Sequence, residues 1–316
     1  MSRLLLRYPT LTALLITLIW GNAFVGIRYC MQPPTGTLTP LELVLARFIP
    51  ALLLIGWWAA TGWDRWGPPL KQHTRDLIAL GLLFTWGYHY MLNIGETIIL
   101  PGLAALIVAC SPLFVFLIGL ALGRERVTSQ KVTGLALALT GLVLSVIFSD
   151  QRIGLAREGV SDRTYQFGIL ATLSAPLCWA IYTTGIKGLS KSADSFILTG
   201  WVMALGIVPG LFLVRQPLIA KLAVAPVPFW IALAYLSLIA AVWAVCWWGK
   251  LLHEADATTL SAFIYLVPVW STIFSAIYFH ERLTPLSGVG ASLILGGLWV
   301  LNAKGRLSRE GRVRAG

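Results

Sequence analysis

Uncharged apolar runs and short polar intervals alternate along the whole chain. The runs fall at 8–27, 48–63, 77–95 (broken only by His89), 102–123, 132–149, 165–186, 195–214, 222–249, 257–279 and 283–303. Most approach the roughly 20 residues that carry a helix across a hydrocarbon core. The run at 48–63 reaches that length only if its helix starts before Arg47, near Pro40. The pattern predicts an all-α membrane protein with ten transmembrane helices. Arg3 and Arg7 precede the first run, but it is too long for a signal-peptide core and no small-x-small cleavage site follows it, so it is expected to stay as a span.

Composition sharpens this picture. Of 316 residues, 57% are hydrophobic and 12% charged, against about 25% charged in soluble domains. No single packed core hides such an excess. The net charge of +11 invites a nucleic-acid reading, yet its distribution argues against one. With the N-terminus inside, 16 of the 24 Lys and Arg fall in cytoplasmic segments and 6 in external ones, with Arg28 and Arg47 near span ends. That is the asymmetry that orients helical membrane proteins, and it predicts an inner (plasma) membrane location with both termini cytoplasmic. Cys30, Cys110, Cys178 and Cys246 form no CxxC pair and suggest neither a disulfide framework nor a zinc site.

The chain repeats itself. Residues 111–141 align with 267–297 at an offset of 156, matching Pro112 with Pro268, Glu125-Arg126 with Glu281-Arg282, Gly134 with Gly290 and Gly141 with Gly297. At an offset of 159, Trp20 pairs with Trp179, Gly26 with Gly185, Arg28 with Lys187 and Pro50 with Pro209. Two five-helix repeats are expected, at 1–149 and 165–304, joined by a linker at 150–164 and followed by a basic tail at 305–316. Five is odd, so the second repeat enters the bilayer from the opposite face. Inverted repeats characterise secondary transporters, which hold substrate near the midplane between the halves.

The ordered motifs, a proline-bearing fourth helix, a Glu-Arg pair and a Gly-punctuated fifth helix in each half, resemble the EamA-type drug/metabolite transporter superfamily. "WGNAFVGIRY" (20–29) and "LCWAIYTTGIKGLS" (177–190) look most like its bacterial amino-acid exporters. The resemblance implies ten helices around a central cavity, efflux of small metabolites, and fifth and tenth helices outside the cavity.

Candidate cavity residues follow from polarity at membrane depth. Pro112 and Pro268 fall about ten residues into their spans, where freed carbonyls would face water or substrate; Pro50 and Pro209 are further kink candidates, more open to the reading that prolines are simply common in membrane helices. In span 3, Trp86, His89, Tyr90 and Asn93 are spaced i, i+3, i+4 and i+7, one helical face, with Tyr88 beside it. His89 is the central titratable group, and an ionisable residue inside a membrane is a functional hypothesis by default. Trp20, Ser111, Trp179, Tyr182, Trp243, Tyr265 and Trp270 complete the aromatic-polar set suited to an amino-acid-sized solute. Single tryptophans also pack cores, and half of the set is expected to touch the cavity. Gly288, Ser292 and Gly296 form a small-residue stripe expected to pack against the bundle. Glu42 and Arg47 begin span 2 and are placed to pair; Glu96 is expected in the tight turn after span 3.

No Asp or Glu lies near the centre of any span. The sequence therefore favours gradient-driven export of amino acids or similar zwitterions by alternating access over proton-coupled efflux through His89 of aromatic drugs or other metabolites. An intramembrane enzyme is disfavoured: "HEADA" (253–257) has Ala257 where a second zinc-ligand histidine would stand. The expected partners are a small-molecule substrate and the lipid bilayer, with no cofactor, metal or nucleic acid, and a two-repeat chain encloses a complete site as a monomer.

Overall fold

In the computed structural model, the described residues are 8–31, 37–98, 104, 107–147, 161–279 and 285–302, and all their regular structure is helical. The helices are α1 (Pro9–Met31), α2 (Pro40–Thr61), α3 (Trp63–Ile98), α4 (Ser111–Ala121), α5 (Ser129–Ile147), α6 (Asp162–Leu189), α7 (Ser195–Leu211), α8 (Gln216–Ala223), α9 (Val227–Glu254), α10 (257–279) and α11 (Pro285–Asn302). Five of them, α1, α2, α3, α6 and α9, are long and apolar enough to cross a membrane; α7 with α8 forms a sixth such stretch, bent by 112°. Of the ten expected spans, the described residues thus show five, or six with the bent pair, that are long and apolar enough to cross. The other predicted spans coincide with α4, α5, α10 and α11, of which α4 is shortened because its run is interrupted by a turn at Ala109 and Cys110.

Local chemistry sets several boundaries. Thr39 and Glu42 cap α2 reciprocally, each side chain accepting the other's backbone N–H at 3.3 and 2.7 Å, and Pro40 follows at a position where its missing N–H costs nothing. The side chains of Ser161, Asp194 and Asp256 each accept one backbone N–H at the start of α6, α7 and α10. Inside α3, His73 leaves helical geometry (φ −122°, ψ 22°). The first turns of α3 therefore break away from the apolar stretch that follows.

Close crossings hold the bundle. A Cβ added to Gly206 of α7 would stand 2.3 Å from the Gly81 carbonyl of α3, and one on Gly21 of α1 would stand 2.3 Å from Cβ of Trp270 on α10. The crossings also obey the sequence repeat. Gly26 abuts Leu236 and Gly185 abuts Leu80, where Leu80 and Leu236 are 156 apart. Gly134 faces Gly297 while Gly141 faces Gly290, again the two matched pairs exchanged. Residue i touching j′ while j touches i′ is the contact pattern of a two-fold relation.

The small-residue stripe does not behave as expected. Gly288 and Ser292 are exposed, and nothing lies within 4 Å of a Cβ built on Gly288. The face of α11 that packs on α5 carries Gly290, Ile294, Gly297 and Leu301 instead. Two small-residue periodicities share this helix, and backbone approach selects the one whose partner is also glycine.

Candidate functional site

A cavity that opens to solvent lies between the two halves of the chain. Trp20, Ala23, Phe24 and Ile27 of α1, Arg47 of α2, Tyr88, His89 and Leu92 of α3, and Val108 and Ser111 line it from the first half; Trp179 of α6, Ala240 and Val245 of α9, and Ile264 and Val267 of α10 line it from the second. Five of the predicted contact residues are among them: Trp20, Tyr88, His89, Ser111 and Trp179. Trp20 and Trp179, the repeat-matched tryptophans, meet edge to face with ring centroids 5.2 Å apart. The Trp20 Nε1–H donates to the Ala240 carbonyl at 3.0 Å, and the Ser111 hydroxyl donates to the Val108 carbonyl. His89 Nε2 and Trp179 Nε1 are buried and have no partner among the described residues.

Span 3 departs from simple helical periodicity, and the reason is local. Residues Leu83–Tyr90 form a π-helix, as do Tyr235–Trp243 in α9. A wider turn shifts every following side chain round the axis. Trp86 thus turns towards α7 and donates from Nε1 to the Gly206 carbonyl at 2.9 Å, with Tyr90 packed edge-on against it at 5.7 Å. Tyr88 and His89 take the cavity-facing place. The His89 ring is boxed by Phe48, Phe84 and Tyr88, with centroids 4.9, 4.9 and 4.6 Å away. Asn93 Nδ2 reaches the Pro40 carbonyl at 3.3 Å and ties α3 to the start of α2.

The remaining predicted residues lie outside the lining. Tyr182 is fully buried and donates to Thr199 Oγ1 at 3.2 Å. Tyr265 is fully buried with its hydroxyl unpartnered among the described residues. Trp270 packs on Gly21, and Trp243 packs on Trp247 at 6.3 Å. Pro112 opens α4 directly after the Ala109–Cys110 turn, and Pro268 follows the 3₁₀ turn Ala262–Tyr265. Pro50 and Pro209 sit inside continuous helices.

Two residues were missed. Trp248 is fully buried against Trp20 (centroids 5.0 Å) and Trp179 (6.2 Å), forming with Tyr182 and Phe84 a floor of rings beneath the cavity. Arg47, expected to pair with Glu42, instead lies seven residues into α2, 6% exposed and facing the cavity, with its Nε–H on the Leu236 carbonyl at 3.2 Å. Glu42 pairs with Lys221 of α8 at 2.7 Å. Glu96 is not in a turn: α3 runs on to Ile98, and Glu96 Oε1 is buried without a partner among the described residues.

The bundle end at which α1 begins, the near end, is tied shut by polar contacts. Lys131 of α5 contacts Glu125 and, at 3.4 Å, Asp256, all three side chains being at least four-fifths buried. Thr258 Oγ1 donates to Glu125 at 2.9 Å, and Thr259 donates to Asp256 from N–H and hydroxyl at 3.0 and 2.7 Å. Burial, then the neighbouring Asp256 charge, pushes the Glu125 carboxyl above the usual range. Burial acts on Asp256 in the same sense, but hydrogen bonds from Glu125 and Thr259, with the Lys131 charge, hold it low. Arg124 donates to the Thr184 carbonyl at 3.1 Å, and Lys187 to the Ala255 carbonyl, so α6 is fastened to the segments following α4 and α9.

Apolar helices that turn their polar and aromatic side chains onto an enclosed, solvent-reaching cavity make a multi-pass membrane transporter. The chain belongs to the EamA-like transporter family, whose profile matches it twice, at residues 8–147 and 166–303. It is a transporter and not an enzyme. An "Uncharacterized transporter" of Archaeoglobus fulgidus is 28% identical over 92% of this chain and 97% of its own. A "Probable amino-acid metabolite efflux pump" of Escherichia coli K12 is 27% identical over 93% and 94%, and a "Probable terminal-alkyne amino-acid exporter" of Streptantibioticus cattleyicolor is 25% identical over 92% and 93%. A solved crystal structure superposes with a TM-score of 0.71 at 20% identity, covering 93% of this chain and 96% of that one, and so shares the fold.

Proposed function

We propose that this protein exports amino acids or similar small zwitterionic metabolites across the inner membrane, by alternating access between two inverted five-helix halves. The observation that carries the reading is the cavity at the meeting of Trp20 and Trp179, walled by both halves. The exchanged glycine contacts support ten crossings related by a two-fold axis in the membrane plane. Both termini are then cytoplasmic, the near end is the cytoplasmic one, and the Glu125–Lys131–Asp256 cluster closes it.

The repeat also accounts for which side is hollow. At the offsets of 159 and 156, Ala23 corresponds to Tyr182, Ala240 to Phe84 and Leu92 to Trp248. At these three lining positions the side chains are smaller than their fully buried ring counterparts, which leaves space on one side of the repeat interface and fills the other. Aromatic walls with few polar atoms fit amino-acid-sized solutes, in line with the printed names of the Escherichia coli and Streptantibioticus relatives.

Counterflow in proteoliposomes, with a panel of radiolabelled amino acids, tests the reading. Saturable exchange of at least one is expected without any pH gradient. The unpartnered Nε2 of His89 favours a second reading, proton-coupled efflux. Acceleration by a pH gradient that disappears in His89→Ala would establish coupling and displace the facilitated mode.

A further inference from the structure

We infer that Arg47 is the carboxylate anchor of the cavity, so that the transported solute is recognised through a carboxylate; this rests on the amino-acid reading above. Arg47 is the one charged side chain among the described lining residues. It is 94% buried, and of the five N–H donors of a guanidinium only the Nε–H has a hydrogen-bond partner among the described residues, the Leu236 carbonyl. That bond fixes the plane of the head. The Nη groups, in which the fork that grips a carboxylate bidentately resides, make no hydrogen bond to the described residues.

No described carboxylate forms an ion pair with it. Glu96 is near enough to act on Arg47 through its charge but does not contact it, and Glu42 is taken by Lys221. A guanidinium held at membrane depth without a contacting carboxylate is costly, and such groups mark solute pathways. The lining around it is aromatic or apolar apart from neutral polar groups. A cationic solute would meet like charge here. An α-amino acid would place its carboxylate on Arg47, its side chain against the rings of Tyr88, Trp20 and Trp179. Arg47 went unnoticed as a site residue because its repeat counterpart is Gly206: the charge belongs to one half only, so the repeat comparison does not flag it.

The test uses L-phenylalanine and L-leucine, their amides, which lack the carboxylate, and 3-phenylpropionate, which lacks the amine, in counterflow with the full chain in proteoliposomes. The wild type should favour acid over amide by about ten- to a hundred-fold, the size of a charge-assisted hydrogen-bond pair. Arg47→Gln should abolish that preference while amide flux persists, and Arg47→Lys should keep part of it. 3-Phenylpropionate should compete with phenylalanine in the wild type and lose that competition in Arg47→Gln; competition unchanged by Arg47→Gln would overturn the anchor. If Arg47→Gln reconstitutes poorly, ligand-induced thermal stabilisation in detergent gives the same comparison. Equal handling of acid and amide by the wild type, or an acid preference retained in Arg47→Gln, overturns the anchor and leaves amino-acid export standing. No flux of any probe in the wild type overturns both.

Discussion

Removing Lys131 should open the near end, the cytoplasmic one in the proposed topology. Its ammonium serves Glu125 and Asp256 together, and the three side chains are 7, 6 and 18% exposed. At an effective dielectric of about 20, the 3.4 Å pair with Asp256 alone is worth about 5 kcal/mol before desolvation. Removing one partner of a buried pair costs about 3–5 kcal/mol, because a carboxylate is left buried and uncompensated. The open state hydrates those carboxylates and escapes most of that cost. Even about 3 kcal/mol moves a two-state equilibrium roughly 150-fold. Ser261 reports the change: it is fully buried above the cluster and its hydroxyl has no partner among the described residues, so Ser261→Cys is a mild probe. In a background with Cys30, Cys110, Cys178 and Cys246 replaced, an impermeant maleimide applied to inside-out vesicles should label it at least tenfold faster in Lys131→Ala. Glu125→Leu with Lys131→Met and Asp256→Asn, which removes all three charges and keeps a capping side chain at 256, should recover much of the protection. Labelling within twofold of the parent in Lys131→Ala would refute the reasoning.

Three further outcomes are expected. Gly206→Leu drives a side chain into the Gly81 carbonyl, 2.3 Å from the new Cβ, and should destabilise by about 3 kcal/mol or more, read as loss of a cooperative melt in detergent. Trp179→Phe keeps a ring on Trp20 but removes the unpartnered indole N–H; the melting temperature should hold while binding of the exported amino acid weakens roughly tenfold, by isothermal titration. Lys221→Gln breaks the Glu42 pair at the outer end, where Lys221 is about one-third exposed, and should change stability by less than about 1 kcal/mol with export unaltered.

Much of this arrangement is legible in the chain. Hydrophobic run lengths predict the long helices, and the repeat matches Trp20 with Trp179 and Gly134 with Gly290; that Trp20 meets Trp179 and Gly134 meets Gly297 comes from the folded chain. The misses share physical causes. Periodicity assumes 3.6 residues per turn, so it assigns Trp86, Tyr90 and Asn93 to the cavity face, whereas the π-helical turn at Leu83–Tyr90 hands that face to Tyr88 and His89. Arg47 is misjudged although a start near Pro40 is expected: it is grouped with Glu42 at the head of span 2, whereas it lies seven residues past Pro40 and already at depth. Helix α8 escapes notice because it is short and fills the interval between the runs at 195–214 and 222–249. Nothing in one sequence separates the stripe of Gly288, Ser292 and Gly296 from the packing stripe of Gly290 and Gly297; only the partner helix does.

Opposite insertion of the two halves is the claim on which export depends, and paired labelling tests it most directly. Thr61 ends α2, and Ile219 lies in α8, just past α7, the repeat partner of α2; both are exposed. In the cysteine-free background, Ile219→Cys should react with an impermeant maleimide in spheroplasts, and Thr61→Cys only in inside-out vesicles. Reaction of both from the same side would mean that the halves are not inverted, and would contradict the account.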